Sequence, residues 1–417
     1  MRQSTITPIR HASTAYVVKT LRESTFLWKL LKLALVILIF LKAANFAYFD
    51  SLGKFKSLTD FNAFYIAGKL ALLGRLSEAY HFDQMHAAQI EYTGSDNFLP
   101  WTYPLPFDLL LAPLALLPIA PAYLTFISIS LVCYLTVLRK LAPKDARLVA
   151  LLLIPALLLN IGCGQNGLLT GALVGLFCHY YIKARHLAGV PLGLMVIKPH
   201  LAAGIALYLL LKREWQILGI AALTALVLCL LASFCFGFSV WADFLSGVKE
   251  SGAFLREGEY PLFRMASAFA AVFTLTGSFE GARIFQGFSI LMALSILYWL
   301  SLKKTTSRNT LGLVCILSVF YSPYLYDYDL PIVGLGVALL MPVLEDHLTP
   351  LEKSLFSLSF LLAQGGWLLL TPLVFVENTA KAEAALSKVP SLAYFMILLV
   401  TGFALCAIGR SRKPPSN

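Results

Sequence analysis

Residues 27–48, LWKLLKLALVILIFLKAANFAY, form the first long apolar run of this chain. A run of this length and composition can cross a bilayer as one α-helix. The polar segment 1–26 precedes the run, and no small-residue cleavage site follows it. These flanks indicate a retained membrane span and not a secretory signal.

The composition of the whole chain is that of a membrane protein. Of its 417 residues, 59% are hydrophobic and 13% are charged, and the mean hydropathy is +0.76. A soluble domain could not cover its surface with so few polar side chains. The apolar runs are of helix length and lack the period-2 alternation of a membrane β-barrel. The sequence therefore predicts an all-α polytopic membrane protein.

The net charge of +11 raises the alternative of nucleic-acid binding. Lys and Arg gather in short clusters between the apolar runs, however, which is how membrane topology is encoded. We therefore expect no nucleic-acid partner. The seven cysteines fall in or beside apolar runs without CxxC spacing, so we expect neither a disulfide framework nor a metal site.

The charge clusters predict one transmembrane domain at residues 27–409 between cytoplasmic tails at 1–26 and 410–417. We expect about twelve membrane-spanning helices. The segment 239–263 is interpreted as an outer loop and 353–372 as a late span.

The stretch 49–119 is expected to lie on the outer side, with short interfacial helices at 61–76 and 82–92. Its last part, 104–119, is greasy but short for a crossing and contains Asp108. As a span it would place the basic cluster Arg139–Arg147 outside. As a surface-lying or re-entrant piece it would place that cluster inside, which the positive-inside bias favours.

Four polar constellations reach the outer face in this topology. Ionisable groups close to apolar helices cost several kcal/mol and are usually retained for a function. Asp60 stands out because it follows the first span closely and would lie near the membrane surface, in contact with water. The constellations are Asp60, Gly164-Gln165-Asn166, Lys198 with His200, and Asp327 with Asp329.

Lys198 and His200 flank Pro199, which breaks the helical pattern and frees backbone groups near a helix end. Such a place suits an anionic head group. The alternative is a lysine that extends to the nearer interface.

The other two constellations have less specific interpretations. The turn at Gln165 and Asn166 offers amides that can donate to and accept from sugar hydroxyls. Asp327 and Asp329 could form a divalent-metal pair. Alternatively, they belong to an interfacial belt with the neighbouring tyrosines.

In this order, the motifs resemble those of glycosyltransferase family 87, a group of enzymes with the GT-C fold that use polyprenyl-phosphate sugars. The likeness spans residues 30–215. The double-acid loop of oligosaccharyl transferases is absent at Gly164-Gln165-Asn166, so no metal is expected there. The matching segments are Asp60-Phe61-Asn62-Ala63-Phe64-Tyr65, Trp101-Thr102-Tyr103-Pro104, Gly164-Gln165-Asn166 and Ile197-Lys198-Pro199.

The resemblance implies a GT-C-type membrane glycosyltransferase that moves a mannose-like hexose or a pentose from a polyprenyl-phosphate donor to a lipid or glycan acceptor, with inversion. GT-C enzymes place the catalytic aspartate in the first outer loop, which corresponds here to Asp60 as the general base. From the chemistry of the residues themselves, we expect Lys198, His200 and Arg264 to bind the donor phosphate. The residues expected to contact the sugar or the acceptor are Gln165, Asn166, Tyr65, Trp101, Asp327 and Asp329.

We further expect a monomer in a bacterial plasma (inner) membrane, with its active site on the periplasmic side and no cofactor beyond the lipid-linked donor. Two alternatives remain at this point. One is a transporter or flippase of a lipid-linked sugar, which would also need broken helices and midplane polar residues. The other is a glycan ligase or polymerase, which would share the donor but use a larger late loop.

Overall fold

The computed structural model describes residues 23–52, 58–183, 185–303, 306–369 and 389–411. Most of the predicted tail 1–26 and of the tail 410–417 lies outside these residues, as does the end of the predicted span 353–372.

The described chain is built of α-helices joined by turns and short 3-10 segments. Among the described residues the only β pairing is one isolated bridge, between Met265 and Tyr326. The helices are α1 (Thr25–Leu52), α2 (Asp60–Leu72), α3 (Leu76–Ala79), α4 (Phe82–Thr93), α5 (Asp108–Leu114), α6 (Ile119–Leu141), α7 (Ala146–Leu152), α8 (Ile154–Cys163), α9 (Gly167–Lys183), α10 (Gly189–Leu194), α11 (Ala203–Leu211), α12 (Trp215–Phe236), α13 (Val240–Glu257), α14 (Ala268–Thr276), α15 (Phe279–Leu302), α16 (Ser307–Leu317), α17 (Pro331–His347), α18 (Pro350–Gly365) and α19 (Ala393–Arg410).

Six segments of the described chain are long and apolar enough to cross a membrane, or seven if the bent pair α7–α8 counts as one span. The prediction of an all-α membrane protein is thus confirmed, whereas the count of twelve spans and the GT-C arrangement remain predictions. The six are Thr25–Ala47, Ile119–Leu141, Trp215–Phe236, Phe279–Leu302, Asp327–His347 and Ala393–Arg410.

These segments differ in what surrounds them. The span Asp327–His347 is 94% buried inside the protein, whereas Thr25–Ala47 and Trp215–Phe236 are each only 22% buried. Apolar side chains that remain exposed on a membrane helix face lipid. α17 is therefore a central helix, and the polar turn that precedes it lies inside the helix assembly.

Of the stretch after the first span, the structure describes residues 58–119, which contain short helices. Helices α2 and α4 occupy the two predicted interfacial segments. The ambiguous piece 104–119 contains the short apolar helix Leu105–Leu114. At 1.5 Å per residue it is about 15 Å long, half of a hydrocarbon core. It packs on α2, where an added Cβ at Gly68 would lie 2.6 Å from the Leu111 carbonyl oxygen.

The interpretation of residues 239–263 as a loop is wrong, because α13 fills most of this segment. A search for long apolar runs does not find this helix, because polar residues interrupt its apolar ones. Val240, Gly247, Ser251 and Leu255 recur at helical spacing and are buried, and Gly258 ends the helix with φ 80°. α13 is thus an amphipathic helix.

Candidate active site

A cavity of about 540 Å³ brings together most of the predicted site residues. Its wall comes from the start of α2, the segment before α5, the turn after α8, the break between α10 and α11, α13, and the segments on both sides of the Met265–Tyr326 bridge. The predicted residues that line it are Asp60, Trp101, Gln165, Lys198, His200 and Arg264.

Asp60 is the first residue of α2, and Thr59 is the N-cap residue. The Thr59 main-chain N–H and hydroxyl both donate to Asn62 Oδ1, at 3.0 and 2.9 Å. Phe61 and Phe64 are each 1% exposed and anchor this turn in an aromatic core. The Asp60 carboxylate is therefore not the cap of its own helix, and its side chain lies in the wall of the cavity.

Lys198 forms a buried ion pair with the acid that precedes α17. Its Nζ lies 2.6 Å from Asp329 Oδ1 and 3.3 Å from Asn166 Oδ1. The side chains of Lys198 and Asp329 are 6% and 0% exposed. An ammonium has three N–H groups, so two are committed here and one remains for a ligand in the cavity.

Arg264 forms the second ion pair, with Asp327. Its Nε and Nη2 donate to the two carboxylate oxygens at 3.2 and 3.0 Å. Nη2 also lies 3.5 Å from Cys163 Sγ, and the Trp367 indole N–H donates to Asp327 Oδ2 at 2.8 Å. Within the described chain Nη1 donates no hydrogen bond, so that edge of the guanidinium is available to a ligand.

Asp327 and Asp329 therefore face two different cations. They are 1% and 0% exposed and lie behind the cavity wall instead of lining it. Tyr328 lies between them, and its ring is 5.0 Å from Lys198 Nζ and 5.6 Å from Arg264 Cζ. One short turn thus holds both cations of the site.

The predicted turn at residues 164–167 packs directly against that acidic turn. Asn160 Nδ2 donates to the Tyr328 carbonyl at 2.9 Å. An added Cβ at Gly167 would lie 1.8 Å from the same carbonyl oxygen, so only glycine fits there. Gly164 has φ 70°, which also favours glycine.

The two amides of this turn have different surroundings. Gln165 lines the cavity, and its Oε1 accepts from the Asn166 N–H and from the Tyr103 hydroxyl, at 3.0 and 3.3 Å. Asn166 is fully buried and contacts Lys198. Tyr103 was missed as a site residue, although it belongs to the segment Trp101-Thr102-Tyr103-Pro104 that carried the resemblance.

Burial raises the pKa of the Asp60 carboxyl above its ordinary value. Arg264, the Gln165 amide and Lys198 act in the opposite direction and offset part of this rise. His200 behaves differently, because burial and then the charge of Lys198 lower its pKa to about 3. Its imidazole is therefore neutral near pH 7, and its buried Nε2 has no partner among the described residues.

Tyr65 and Trp101 have different positions relative to this cavity. Trp101 is fully buried in its wall, against Phe64. Tyr65 lines a second cavity, of about 490 Å³, and donates to the Leu117 carbonyl at 2.9 Å. The structure thus separates Tyr65 from the other predicted residues that line the main cavity.

The rest of the cavity wall is largely aromatic. Phe254 packs against Phe98 and Tyr260, with ring centroids 6.1 and 5.1 Å apart, and Tyr260 packs against Tyr324 at 5.9 Å. Phe244 and Phe254 come from α13. Since that helix was interpreted as a loop, this apolar part of the wall was not predicted.

A sequence profile of glycosyltransferase family 87 matches residues 101–323, just over half of the chain. The matched segment includes Gln165, Lys198 and Arg264, whereas Asp60 precedes it and Asp327 follows it. Comparisons with curated proteins and with solved structures found no match.

Proposed function

Since the chain belongs to glycosyltransferase family 87 and is therefore a glycosyltransferase, we propose that it transfers a mannose-like hexose or a pentose from a polyprenyl-phosphate donor to a hydroxyl of a lipid or glycan acceptor. The observation that carries this proposal is the two-part character of one cavity. A carboxylate and two cations line it together with a band of aromatic side chains. An amphipathic donor has the same two parts, a sugar phosphate and an apolar chain.

In this proposal Lys198, Arg264 and His200 bind the donor phosphate. Lys198 offers its remaining N–H and Arg264 offers Nη1. His200 offers a neutral imidazole whose Nε2 has no partner within the described part of the chain. As the bond between the sugar and the phosphate breaks, negative charge grows on the departing oxygen. Cations that are already in place stabilise that charge in the transition state.

Asp60 is the proposed general base. It takes the proton from the acceptor hydroxyl as that oxygen attacks the anomeric carbon from the side opposite the phosphate, which gives inversion. A base must be ionised, yet basic enough to accept a proton. The raised pKa of Asp60 fits the second condition, and the two cations help it meet the first.

Asp327, Asp329 and Asn166 are proposed to act through the cations. They fix Arg264 and Lys198 by hydrogen bonds and lie outside the cavity wall. Gln165 and Trp101 remain the proposed sugar contacts, because both line the cavity.

We also propose that the reaction takes place at the outer face of a bacterial plasma membrane, in a monomer that needs no cofactor beyond the donor. The basic cluster Arg139–Arg147 supports this orientation. It begins in the last turn of α6, whereas Tyr123 near the start of α6 packs against Phe61, next to Asp60. Basic residues collect on the cytoplasmic side.

Sugar transfer from a defined polyprenyl-phosphate mannose to a lipid extract tests the proposal. Asp60→Asn should reduce transfer by roughly a hundredfold or more while donor binding persists. Asp83→Asn is the matched control, because Asp83 is exposed on α4 in the same outer stretch. Transfer that survives in Asp60→Asn, or that falls equally in both variants, would remove Asp60 from the mechanism.

A further inference from the structure

A third cavity, of about 580 Å³, lies where three membrane helices begin or end. α1 begins beside it, α6 ends at it, and α7 begins at it. It is lined by Glu23, Trp28, Leu135, Leu138, Arg139, Pro143, Lys144, Ala146 and Arg147.

The lining carries three cations and one acid. Some cations of the described chain are paired with acids, as in Arg410–Glu352 and Arg185–Glu214. Among the residues that the structure describes, Arg139 and Lys144 join no such ion pair. Arg147 donates to the main-chain carbonyl of Glu23 at 3.4 Å.

The acids nearby do not neutralise this cluster. Glu23 is the one acid in the lining. Asp145 is buried and interacts with Arg308 of α16. Lys32 on α1, whose Nζ lies 5.7 Å from the ring of the lining residue Trp28, adds further positive charge beside the cavity. An anion in this cavity would therefore meet a net positive field.

The position of the cavity indicates where such an anion comes from. Leu135 and Leu138 in its wall continue along α6 to Val132, which is 63% exposed on the lipid-facing surface. Trp28 supplies an indole, a ring that favours the head-group level of a bilayer. A basic cavity beside exposed apolar surface of the same helix fits a lipid better than a soluble anion.

This cavity is separate from the candidate active site. α6 has 23 residues, so its ends are about 33 Å apart. Tyr123, near the start of α6, packs against Phe61 beside Asp60, whereas the cavity lies at the other end.

We propose that this cavity binds the phosphate head group of an anionic phospholipid. Arg139 and Arg147 hold the phosphate oxygens, Lys144 adds charge, and the acyl chains lie along the apolar face of α6. The inference does not depend on the function proposed above.

The test uses the full-length protein in dodecyl maltoside, with thermal stability as the binding signal. Dioctanoyl phosphatidylglycerol, dioctanoyl phosphatidylcholine and inorganic phosphate are titrated separately. We expect a saturable rise in melting temperature with phosphatidylglycerol alone. In Arg139→Gln/Arg147→Gln, the Kd for phosphatidylglycerol should rise about tenfold or more, because two charge-assisted contacts are lost.

Lys140→Gln/Lys183→Gln is the matched control. It removes the same charge from exposed helix ends outside the lining, so its Kd should change less than about twofold. Sugar transfer in phosphatidylcholine vesicles should be unchanged in both variants. If Arg139→Gln/Arg147→Gln does not fold, Arg139→Gln alone is compared with Lys140→Gln.

Three results would overturn the proposal. Phosphatidylcholine could give the same rise, which would show that the phosphatidylglycerol charge is irrelevant. Inorganic phosphate could give it, which would show that a soluble anion suffices. The control variant could lose as much affinity for phosphatidylglycerol as Arg139→Gln/Arg147→Gln, which would show that binding depends on diffuse positive charge and not on a specific site.

Discussion

The ion pair between Lys198 and Asp329 permits a test that separates structure from function. Lys198→Met would leave Asp329 buried and unpaired, and Asp329→Asn would leave Lys198 without its carboxylate. Both side chains are almost fully buried, at 6% and 0% exposure. Breaking a buried pair by removing one partner typically costs about 3–5 kcal/mol. We expect each single variant to be destabilised by that amount.

The double variant Lys198→Met/Asp329→Asn removes both charges and leaves no uncompensated ion. Its cost should fall to about 1–2 kcal/mol, the scale of the hydrogen bonds that are lost. Stability should therefore recover, whereas donor binding should not. Loss of one charge-assisted contact to phosphate, worth about 1.5–3 kcal/mol, predicts a Kd for the donor that is roughly 10- to 100-fold higher.

The assay combines thermal or denaturant unfolding in detergent with donor binding for all four proteins. Additive losses of stability would show that the two residues are not coupled as the 2.6 Å contact requires. A stable double variant with unchanged donor affinity would show that Lys198 only supports the fold. Either outcome would refute the reasoning.

Four further predictions follow from the same geometry. Gln165→Leu removes a hydrogen bond that lowers the pKa of Asp60. The acidic limb of the pH profile of kcat/KM should therefore move to higher pH. An unmoved limb would mean that Gln165 does not act on the base. Because the folded-state pKa of Asp60 is raised, its ionised form disfavours folding above that pKa. Asp60→Asn should therefore melt higher than wild type at pH 7, and this gain should vanish below about pH 3.9, where the unfolded carboxyl is also protonated. Trp367→Phe removes one hydrogen-bond donor to Asp327, the acid that holds Arg264. It should lower kcat several-fold with KM nearly unchanged. A change confined to KM would contradict a positioning role. On a cysteine-free background, Asn97→Cys should react with an impermeant thiol reagent outside whole cells and Lys140→Cys should not, and the reverse pattern would invert the proposed topology.

The parts of the fold that sequence predicted well are those where local pattern decides. The apolar run 27–48 was predicted to be one membrane span, and it lies within a single helix, α1. Helices α2 and α4 also occupy segments that were predicted to be short helices. α13 was missed because charged residues separate its apolar residues along the sequence, so only the spacing of its buried residues shows the helix.

The candidate site could likewise be predicted only in part. Asp60, Gln165, Lys198 and Arg264 were identified from the sequence, and the structure brings them to one cavity. The pairing of each cation with its own acid could not be predicted, because it depends on how the segment with Arg264 meets the turn before α17.

The separation of Tyr65 from Asp60 could have been predicted from the sequence. A helix turns 100° per residue, so the five residues from Asp60 to Tyr65 place their side chains about 140° apart around α2. The sequence prediction assigned both Asp60 and Tyr65 to one site and did not take this rotation into account. Tyr65 accordingly lines the second cavity and not the cavity that contains Asp60.

The two acids behind the cations have a consequence for product release. In the proposed reaction a phosphodiester with one negative charge becomes a phosphomonoester whose charge at pH 7 approaches two. Two uncompensated cations would then hold the spent lipid more tightly than the incoming one, and turnover would stall. Because Asp327 and Asp329 already balance Arg264 and Lys198, the extra charge of the product gains less from the site. The turn before α17 would thus set how quickly the enzyme is cleared for its next substrate.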